Sequence, residues 1–243
     1  MSSLRARQLV VLLDRMRRLE KPRVAELPVL SLGMAVLDEA LPWGGLPMGV
    51  LHEILGRPGD AAADGFAINL LGRLACGKPV LWCRDGTGEA GIPYGPGLAQ
   101  SGLACDQVIF VQARKLAELL WAMEEGLRSG AFAAVLGEGV SPDLTATRRL
   151  QLASEAGATT ALLRLPYRTA GGVSAALTRW QVTSVPVEED SEAARWQVEL
   201  ARCRGGAAGA WHVSVGQVSC DQALRLRLAA VLAHRSLAPD AAE

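Results

Sequence analysis

Short apolar segments that alternate with longer helical segments constrain the fold of this chain more than any other feature. The strand-like segments lie at residues 50–55, 79–83, 108–111, 132–136 and 158–163. The helical segments among them lie at residues 64–76, 114–128 and 142–156. Strands separated by helices pair in parallel, because each helix returns the chain to the same end of the sheet. The sequence therefore predicts an α/β fold with a mainly parallel sheet and helices on both faces.

Local signals predict where other elements begin and end. Ser141, Pro142 and Asp143 predict the start of the helix at 142–156, with Ser141 as its N-cap, the proline in its first turn and an acid that favours its dipole. A short helix is predicted at residues 31–41. A Gly- and Pro-rich loop is predicted at residues 85–97.

The rhythm of the sequence changes after residue 175. Strand-like segments at 179–185, 195–202 and 211–215 follow one another without helices, which predicts an antiparallel C-terminal extension of the sheet. Apolar residues at helical spacing then predict a last helix at 222–234; they are Leu224, Leu228, Val231 and Leu232. The predicted organisation is a basic amphipathic helix or arm at 1–23, a core at 24–218, and a C-terminal helix and tail at 219–243.

Balanced charge excludes a protein that binds nucleic acid through a uniformly positive surface. The 243 residues include 25 Lys and Arg and 25 Asp and Glu, a formal net charge of +0. Any contact with DNA must come from local patches. One such patch is residues 1–23, where seven cations against two acids leave a net charge of +5. This helix either docks on its own domain with a solvated basic face or contacts a protein partner or DNA.

Cysteine usage and hydropathy indicate the compartment. The five cysteines are widely spaced and form no Cys-x-x-Cys pair, which is typical of free thiols in a reducing environment. No apolar run approaches the roughly 20 residues that a membrane-spanning helix requires. We expect a cytoplasmic protein without membrane contact.

The segment at residues 50–76 has the order strand, glycine-containing loop and helix that a phosphate-binding loop requires. Such a loop needs a lysine for the terminal phosphates and a hydroxyl for magnesium. No alignment of the template supplies them, because no lysine occurs between Lys21 and Lys78. What remains is a degenerate loop, whose landmarks are Gly56, Arg57, Gly59 and Gly65. Two carboxylates in the same segment, those of Asp60 and Asp64, would repel a triphosphate.

The acids that could complete an ATPase site are also poorly placed. Glu138 stands one place beyond the position expected of a magnesium-binding acid after the strand at 132–136, and Asp85 follows the strand at 79–83. The three histidines form no ligand-spaced cluster, and no nucleophile–base set is visible. We therefore expect no catalytic residues, no metal and no cofactor, and a protein that is not an enzyme.

Two stretches resemble the RecA family. Ser31-Leu32-Gly33, the run Gly44-Gly45-Leu46-Pro47-Met48-Gly49 and the strand His52-Glu53-Ile54 are similar to the lead into the RecA phosphate loop. Residues 169–172 resemble the Gly-Gly turn of the second DNA-binding loop of that family. The resemblance implies a RecA-like core of the P-loop type with a degenerate Walker A loop.

Other segments resemble the ImuA family, RecA-like proteins of bacterial damage-inducible mutagenesis cassettes. They are residues 81–83, 120–128, 143–153, 177–180 and 202–206, and the similarity extends over roughly residues 30–215. The resemblance implies a non-catalytic adaptor in SOS-induced, error-prone translesion DNA synthesis. The implied partners are an ImuB-type polymerase-like protein, RecA and an error-prone replicative-type DNA polymerase in the same complex, with possible weak DNA contact.

Two alternative functions stay open from the sequence. One is an ATP- or DNA-dependent RecA-like ATPase with an unusual nucleotide site. The other is a cell-division inhibitor of the SulA type, which would act on the tubulin-like division protein. Measured nucleotide turnover discriminates the first alternative, and filamentation on overproduction discriminates the second.

Arginines and a glycine turn are the candidate contacts for a partner or DNA. The alternative interpretation is a solvated surface charge for each arginine, which the sequence favours for Arg148 and Arg149, and a plain turn for the glycines. The candidates are Arg5, Arg15, Arg17, Arg18, Arg148, Arg149, Gly171, Gly172, Arg202, Arg204, Arg225 and Arg227. Trp180, Trp196 and Trp211 either stack on single-stranded bases or pack in the core.

Overall fold

A computed structural model describes residues 24, 26–86, 93–167, 172–186, 194–216 and 225–232, with the last of these ranges described by its backbone. The strands are β1 Val29–Leu30, β2 Leu46–Pro47, β3 Leu51–Gly56, β4 Val80–Asp85, β5 Val108–Ala113, β6 Ala134–Glu138, β7 Thr160–Pro166, β8 Thr178–Val185, β9 Ala194–Cys203, β10 Gly209–Gly216 and β11 Arg225–Leu232. The helices are α1 Ala35–Ala40, α2 Ala62–Ala75, α3 Gly95–Gln100, α4 Leu116–Ser129 and α5 Leu144–Gly157, with a 3₁₀ turn at Cys105–Gln107.

One sheet of nine strands organises the described residues, in the order β11-β10-β9-β8-β3-β7-β6-β4-β5. The strands from β8 to β5 in this order pair in parallel. The strands from β8 to β11 pair antiparallel. The predicted α/β fold, with a mainly parallel sheet and an antiparallel C-terminal extension, is therefore confirmed. Strands β1 and β2 form a separate antiparallel pair.

Helices cover both faces of the parallel part, because its strands are apolar on both sides. Strand β3 shows this best, since all its residues are buried. On one face Ile54 belongs to a cluster with Phe66 and Leu70 of α2. On the other face Leu51 belongs to a cluster with Met123 of α4 and with residues of α5. Alternate residues of one strand thus enter two different cores.

The predicted helix at 222–234 is wrong, because strand β11 occupies Arg225–Leu232. It pairs antiparallel with β10, with Ala210 opposite Leu232 and Gly216 opposite Arg225. Leucines at helical spacing suggested a helix, yet the run from Arg225 to Leu228 also alternates polar and apolar residues with the period of a strand. Strand β10 presents unpaired backbone groups at the sheet edge, and pairing with them decides between the two periods.

Several predicted boundaries also differ from the structure. The N-cap of α5 is Asp143 rather than Ser141, since its carboxylate accepts a 2.7 Å hydrogen bond from the N–H of Ala146. The predicted loop at 85–97 contains the start of helix α3, which begins at Gly95 with a proline in its first turn. The predicted helix at 31–41 is shorter, at Ala35–Ala40. These are errors of extent, as expected where end signals compete.

The longest helices, α2, α4 and α5, have 14 residues each. A bilayer requires about 20 apolar residues in one helix. In the part of the chain that the structure describes, no helix is both long and apolar enough to cross a membrane.

A buried hydrogen-bond network joins β3 to β8 and to β2. The Nε2–H of His52 donates to the carbonyl of Pro47 at 2.8 Å, so its Nδ1 accepts from the Thr178 hydroxyl at 2.7 Å. The Thr178 oxygen accepts in turn from the indole N–H of Trp180 at 2.9 Å. The side-chain polar groups of His52, Thr178 and Trp180 are all paired in this way as long as the imidazole stays neutral. Burial lowers the pKa of His52 from 6.5 to about 4, against an opposing effect of the hydrogen bond to Pro47.

This shift predicts that acid destabilises the fold. Below pH 6.5 the unfolded chain protonates His52, whereas the folded chain does not until about pH 4, so the free energy of unfolding falls as the pH is lowered through this window. The full effect is about 3 kcal/mol. Urea unfolding across the window measures it. The variant His52→Gln should lose that part of the pH dependence, and an equal slope in both proteins would contradict the prediction.

Candidate functional site

The candidate site lies where β3 ends and helix α2 begins, at the carboxyl edge of the parallel strands. This edge is where open α/β sheets bind ligands. The chain leaves β3 at Gly56, turns at Gly59 with a φ of +76°, and enters α2 at Ala62. A Cβ at Gly56 would overlap both the Cβ of Ala63 and the guanidinium of Arg164. Glycine is therefore required there by close packing.

A cavity of about 490 Å³ opens beside this loop. Its walls come from the loop after β3, the first turn of α2 and the ends of β6 and β7. The lining residues are Gly56, Arg57, Pro58, Gly59, Asp60, Ala61, Asp64, Glu138, Gly139, Arg164 and Pro166. The three predicted landmarks Gly56, Arg57 and Gly59 line the cavity, whereas Gly65 packs beneath it against Trp196.

Asp60 fastens the loop to two other elements. One carboxylate oxygen accepts from the Ser184 hydroxyl at 2.6 Å and from the N–H of Ala62 at 3.0 Å. The other accepts from the N–H of Ser184 at 2.8 Å. Burial raises the pKa of Asp60, but the hydrogen bonds from Ser184 and Ala62 and the charge of Arg57 outweigh it, so the pKa lies below its usual value. Asp60 is an anion that accepts from the first N–H of α2 and anchors the end of β8.

Asp64 and Arg164 form an ion pair across the cavity wall. Nε of Arg164 lies 2.6 Å from one Asp64 oxygen, and its Nη2 lies 3.4 Å from the other. The arginine side chain is 12% exposed and the aspartate 45%. A third donor of Arg164 reaches the carbonyl of Leu165 at 2.7 Å. The two-point contact fixes the guanidinium plane against the first turn of α2.

Glu138 is better placed than the sequence predicts. Strand β6 runs from Ala134 to Glu138, so this acid is the last residue of its strand and not one place beyond it. Its Oε2 accepts from the indole N–H of Trp82 at 2.7 Å, and its Oε1 lies 3.7 Å from the guanidinium of Arg84. Asp85 likewise ends strand β4. Both acids therefore reach the carboxyl edge, and Glu138 does so already engaged with protein donors.

Arg57 is the loop's own cation. Its guanidinium lies 5.7 Å from the centre of the Tyr167 ring, in a cation–π contact. Tyr167 is 38% exposed and follows β7 directly. Arg57 thus leans toward the end of β7.

A buried charge cluster under β3 is the feature that the sequence reading missed. Glu53 and Arg179, 1% and 7% exposed, pair at 2.6 Å between β3 and β8. Arg179 also donates to the carbonyl of Gly172 at 2.8 Å. Arg202 on β9 donates to the carbonyls of Ser174 and Ala176 at 3.1 and 2.9 Å. The only sequence signal was a glutamate inside an apolar strand, which demands a buried cation.

The surroundings of Arg202 in this cluster disfavour its positive charge. Burial lowers its pKa, the charge of Arg179 lowers it further, Glu53 raises it and Arg204 lowers it. Its Nε is buried and makes no hydrogen bond. Arg179 and Arg202 together grip the backbone of residues 172–176, which leads into β8. Arg202 and the carbonyl of Gly172 are therefore engaged in contacts within the protein.

The remaining candidate contacts differ in whether the structure describes them and in what they contact. Arg148 and Arg204 are exposed on α5 and after β9. Arg149 is committed to the buried Glu124 of α4, with two contacts of 2.9 Å. Arg225 and Arg227 lie on β11, opposite Gly216 and Ser214. The others lie outside the described residues: Arg5, Arg15, Arg17, Arg18 and Gly171.

The tryptophans of the antiparallel region pack in the core rather than stack on bases. Trp180 and Trp211 are 0% and 2% exposed, with ring centres 6.5 Å apart. Phe66 of α2 lies 5.8 Å from Trp180. Trp196 is partly buried against the same cluster.

Fold and site together define an α/β protein with a strand–loop–helix cavity whose wall is held by its own carboxylates. No protein-family model matches the chain. It is 37% identical over 204 residues to Protein ImuA of Caulobacter vibrioides strain NA1000 / CB15N, and equally to that of strain ATCC 19089 / CIP 103742 / CB 15. Each match covers 76% of this chain and 82% of the relative. The chain belongs to the ImuA family, and this membership supports involvement in damage-inducible mutagenesis.

The buried pair predicts a large stability effect. Replacement of Arg179 by methionine keeps the length of the side chain but leaves the Glu53 carboxylate buried without its cation. We expect the free energy of unfolding to fall by about 3–5 kcal/mol. The matched control is Lys115→Met, which breaks the exposed pair of Lys115 and Glu118 and should cost less than about 1 kcal/mol. Urea unfolding measures both, and equal small losses would contradict the prediction.

Proposed function

We propose that this protein is a non-catalytic adaptor in SOS-induced, error-prone translesion DNA synthesis, acting in the cytoplasm. Membership of the ImuA family supports the process, since the chain covers 82% of its relative at 37% identity. The state of the cavity beside Gly56 supports the non-catalytic role. In this proposal the fold is a RecA-like core. Its Walker A loop is degenerate and keeps only a structural role.

The cavity supports a non-catalytic role because the groups that phosphoryl transfer requires are missing or engaged. Ala61, Ala62 and Ala63 stand where glycine, lysine and hydroxyl are needed in a phosphate loop that starts at Gly56. The cation in the wall, Arg164, is paired with Asp64. Phosphoryl transfer depends on positioned cations that meet the developing charge. A guanidinium neutralised by a carboxylate at 2.6 Å is a poor substitute.

The proposed partners are those that the family resemblance implies: an ImuB-type polymerase-like protein, RecA and an error-prone replicative-type polymerase. A protein of zero net charge contacts acidic partners or DNA through local basic patches. The segment at 1–23 is the most basic patch of the sequence. Exposed Arg148 and Arg204 are further candidates.

Co-purification with the partners tests the adaptor role. The full chain, produced together with the ImuB-type protein and RecA, should retain at least one of them. Charge reversal of Arg15, Arg17 and Arg18 to glutamate should weaken retention by tenfold or more, on the order of 1–2 kcal/mol. The matched control reverses three exposed cations elsewhere, Lys78, Arg114 and Lys115. If no partner is retained by the unmodified protein, the adaptor proposal is wrong.

Nucleotide turnover tests the non-catalytic role. The pure protein should hydrolyse no ATP above buffer, with or without single-stranded DNA. Turnover that disappears in Arg57→Ala or Glu138→Gln would establish an active site in the cavity and overturn the proposal. In cells, loss of the gene should reduce damage-induced mutation. Filamentation on overproduction without an effect on mutation would instead favour a division inhibitor.

A further inference from the structure

The cavity does not lack positive charge. Arg164 lies in its wall, and Arg57 lies at its rim near Tyr167. Three further donors meet the lining residue Asp60: the N–H of Ala62 at the start of α2, and the hydroxyl and N–H of Ser184. Groups of this kind bind phosphate when they are available.

Two carboxylates that line the cavity occupy Arg164 and the donors of Ala62 and Ser184. Asp60 accepts from the N–H of Ala62 and from both donors of Ser184. Asp64 takes Nε and Nη2 of Arg164. Each carboxylate thus makes contacts of the kind that a phosphate oxygen would make in the same place.

We propose that Asp60 and Asp64 are built-in anions that hold the anion-binding groups of the cavity and so exclude phosphate from it. The device is an autoinhibitory contact: the site for an anion exists, and the chain supplies the anions itself. This inference rests on the proposed non-catalytic role of the loop and gives a physical reason why the loop does not bind a nucleotide phosphate. On this view the missing lysine is not the only reason for the exclusion of phosphate.

Geometry favours this device over an ordinary surface ion pair. Arg164 is 12% exposed, and its guanidinium packs so close to Gly56 that a Cβ there would overlap it. Asp60 bridges three elements, since it joins the loop to the first residue of α2 and to the end of β8. A cavity of about 490 Å³ lies in front of them, and its lining includes Asp60, Asp64 and Arg164.

The test converts the carboxylates to neutral amides of the same shape. The full-length variant Asp60→Asn/Asp64→Asn is titrated with inorganic pyrophosphate near neutral pH by calorimetry. We expect it to bind pyrophosphate at least tenfold more tightly than the unmodified protein, because two like charges are removed and Arg164 is released. Adding Arg164→Gln should abolish the gain. This dependence identifies the cavity as the binding site.

A matched control separates the cavity from net charge. The variant Asp106→Asn/Glu155→Gln removes two exposed carboxylates outside the cavity and should bind no better than the unmodified protein. A gain as large in this control would overturn the proposal. So would pyrophosphate binding by the unmodified protein as tight as by the cavity variant.

Folding of the double variant is checked by thermal unfolding. If it does not unfold cooperatively, the single variant Asp64→Asn decides, because that side chain is 45% exposed and its loss releases Arg164 alone. A folded Asp64→Asn or double variant without any gain over the control would overturn the proposal. Partner retention in the co-purification experiment is measured separately, so failure of the built-in anions and failure of the adaptor role give different results.

Discussion

The structure depends on the burial of β3 between β7 and β8. All residues of this strand are buried, and it pairs in parallel on both sides. A strand in this position must satisfy every polar group without water. His52 does so through Pro47 and Thr178, and Glu53 does so through Arg179. The position of β3 in turn determines where Gly56 ends the strand, and so where the cavity opens.

Several charged side chains of this molecule form ion pairs between its own elements. Glu53 holds Arg179, Glu124 holds Arg149, and Asp64 holds Arg164. Each pair joins two different elements, at separations of 126, 25 and 100 positions in the chain. The same holds at the cavity, where Arg164 is paired with Asp64 and Asp60 accepts from neighbouring backbone and hydroxyl groups. For the proposed adaptor role, exposed arginines outside these pairs, such as Arg148 and Arg204, are the candidates for partner contact.

Much of the fold could be predicted because the relevant signals are local. Apolar segments in alternation with amphipathic helices predict a parallel sheet whatever the details of packing. Glu138 was misplaced because a strand end is determined by pairing with its neighbours and not by local apolarity. The segment at Arg225–Leu232 was assigned to a helix because two periods coexist in it. Only the free edge of β10 selects the strand.

The sequence by itself determined the fold class, the family and the absence of a lysine between Lys21 and Lys78. Composition and residue order carry these properties, and they need no coordinates. The tertiary structure alone decided the use of the charges. Arg164 and Asp64 are 100 positions apart, and Glu53 and Arg179 are 126 apart. Ion pairs over such separations exist only once the sheet has formed, because sheet order and not chain order makes their elements neighbours.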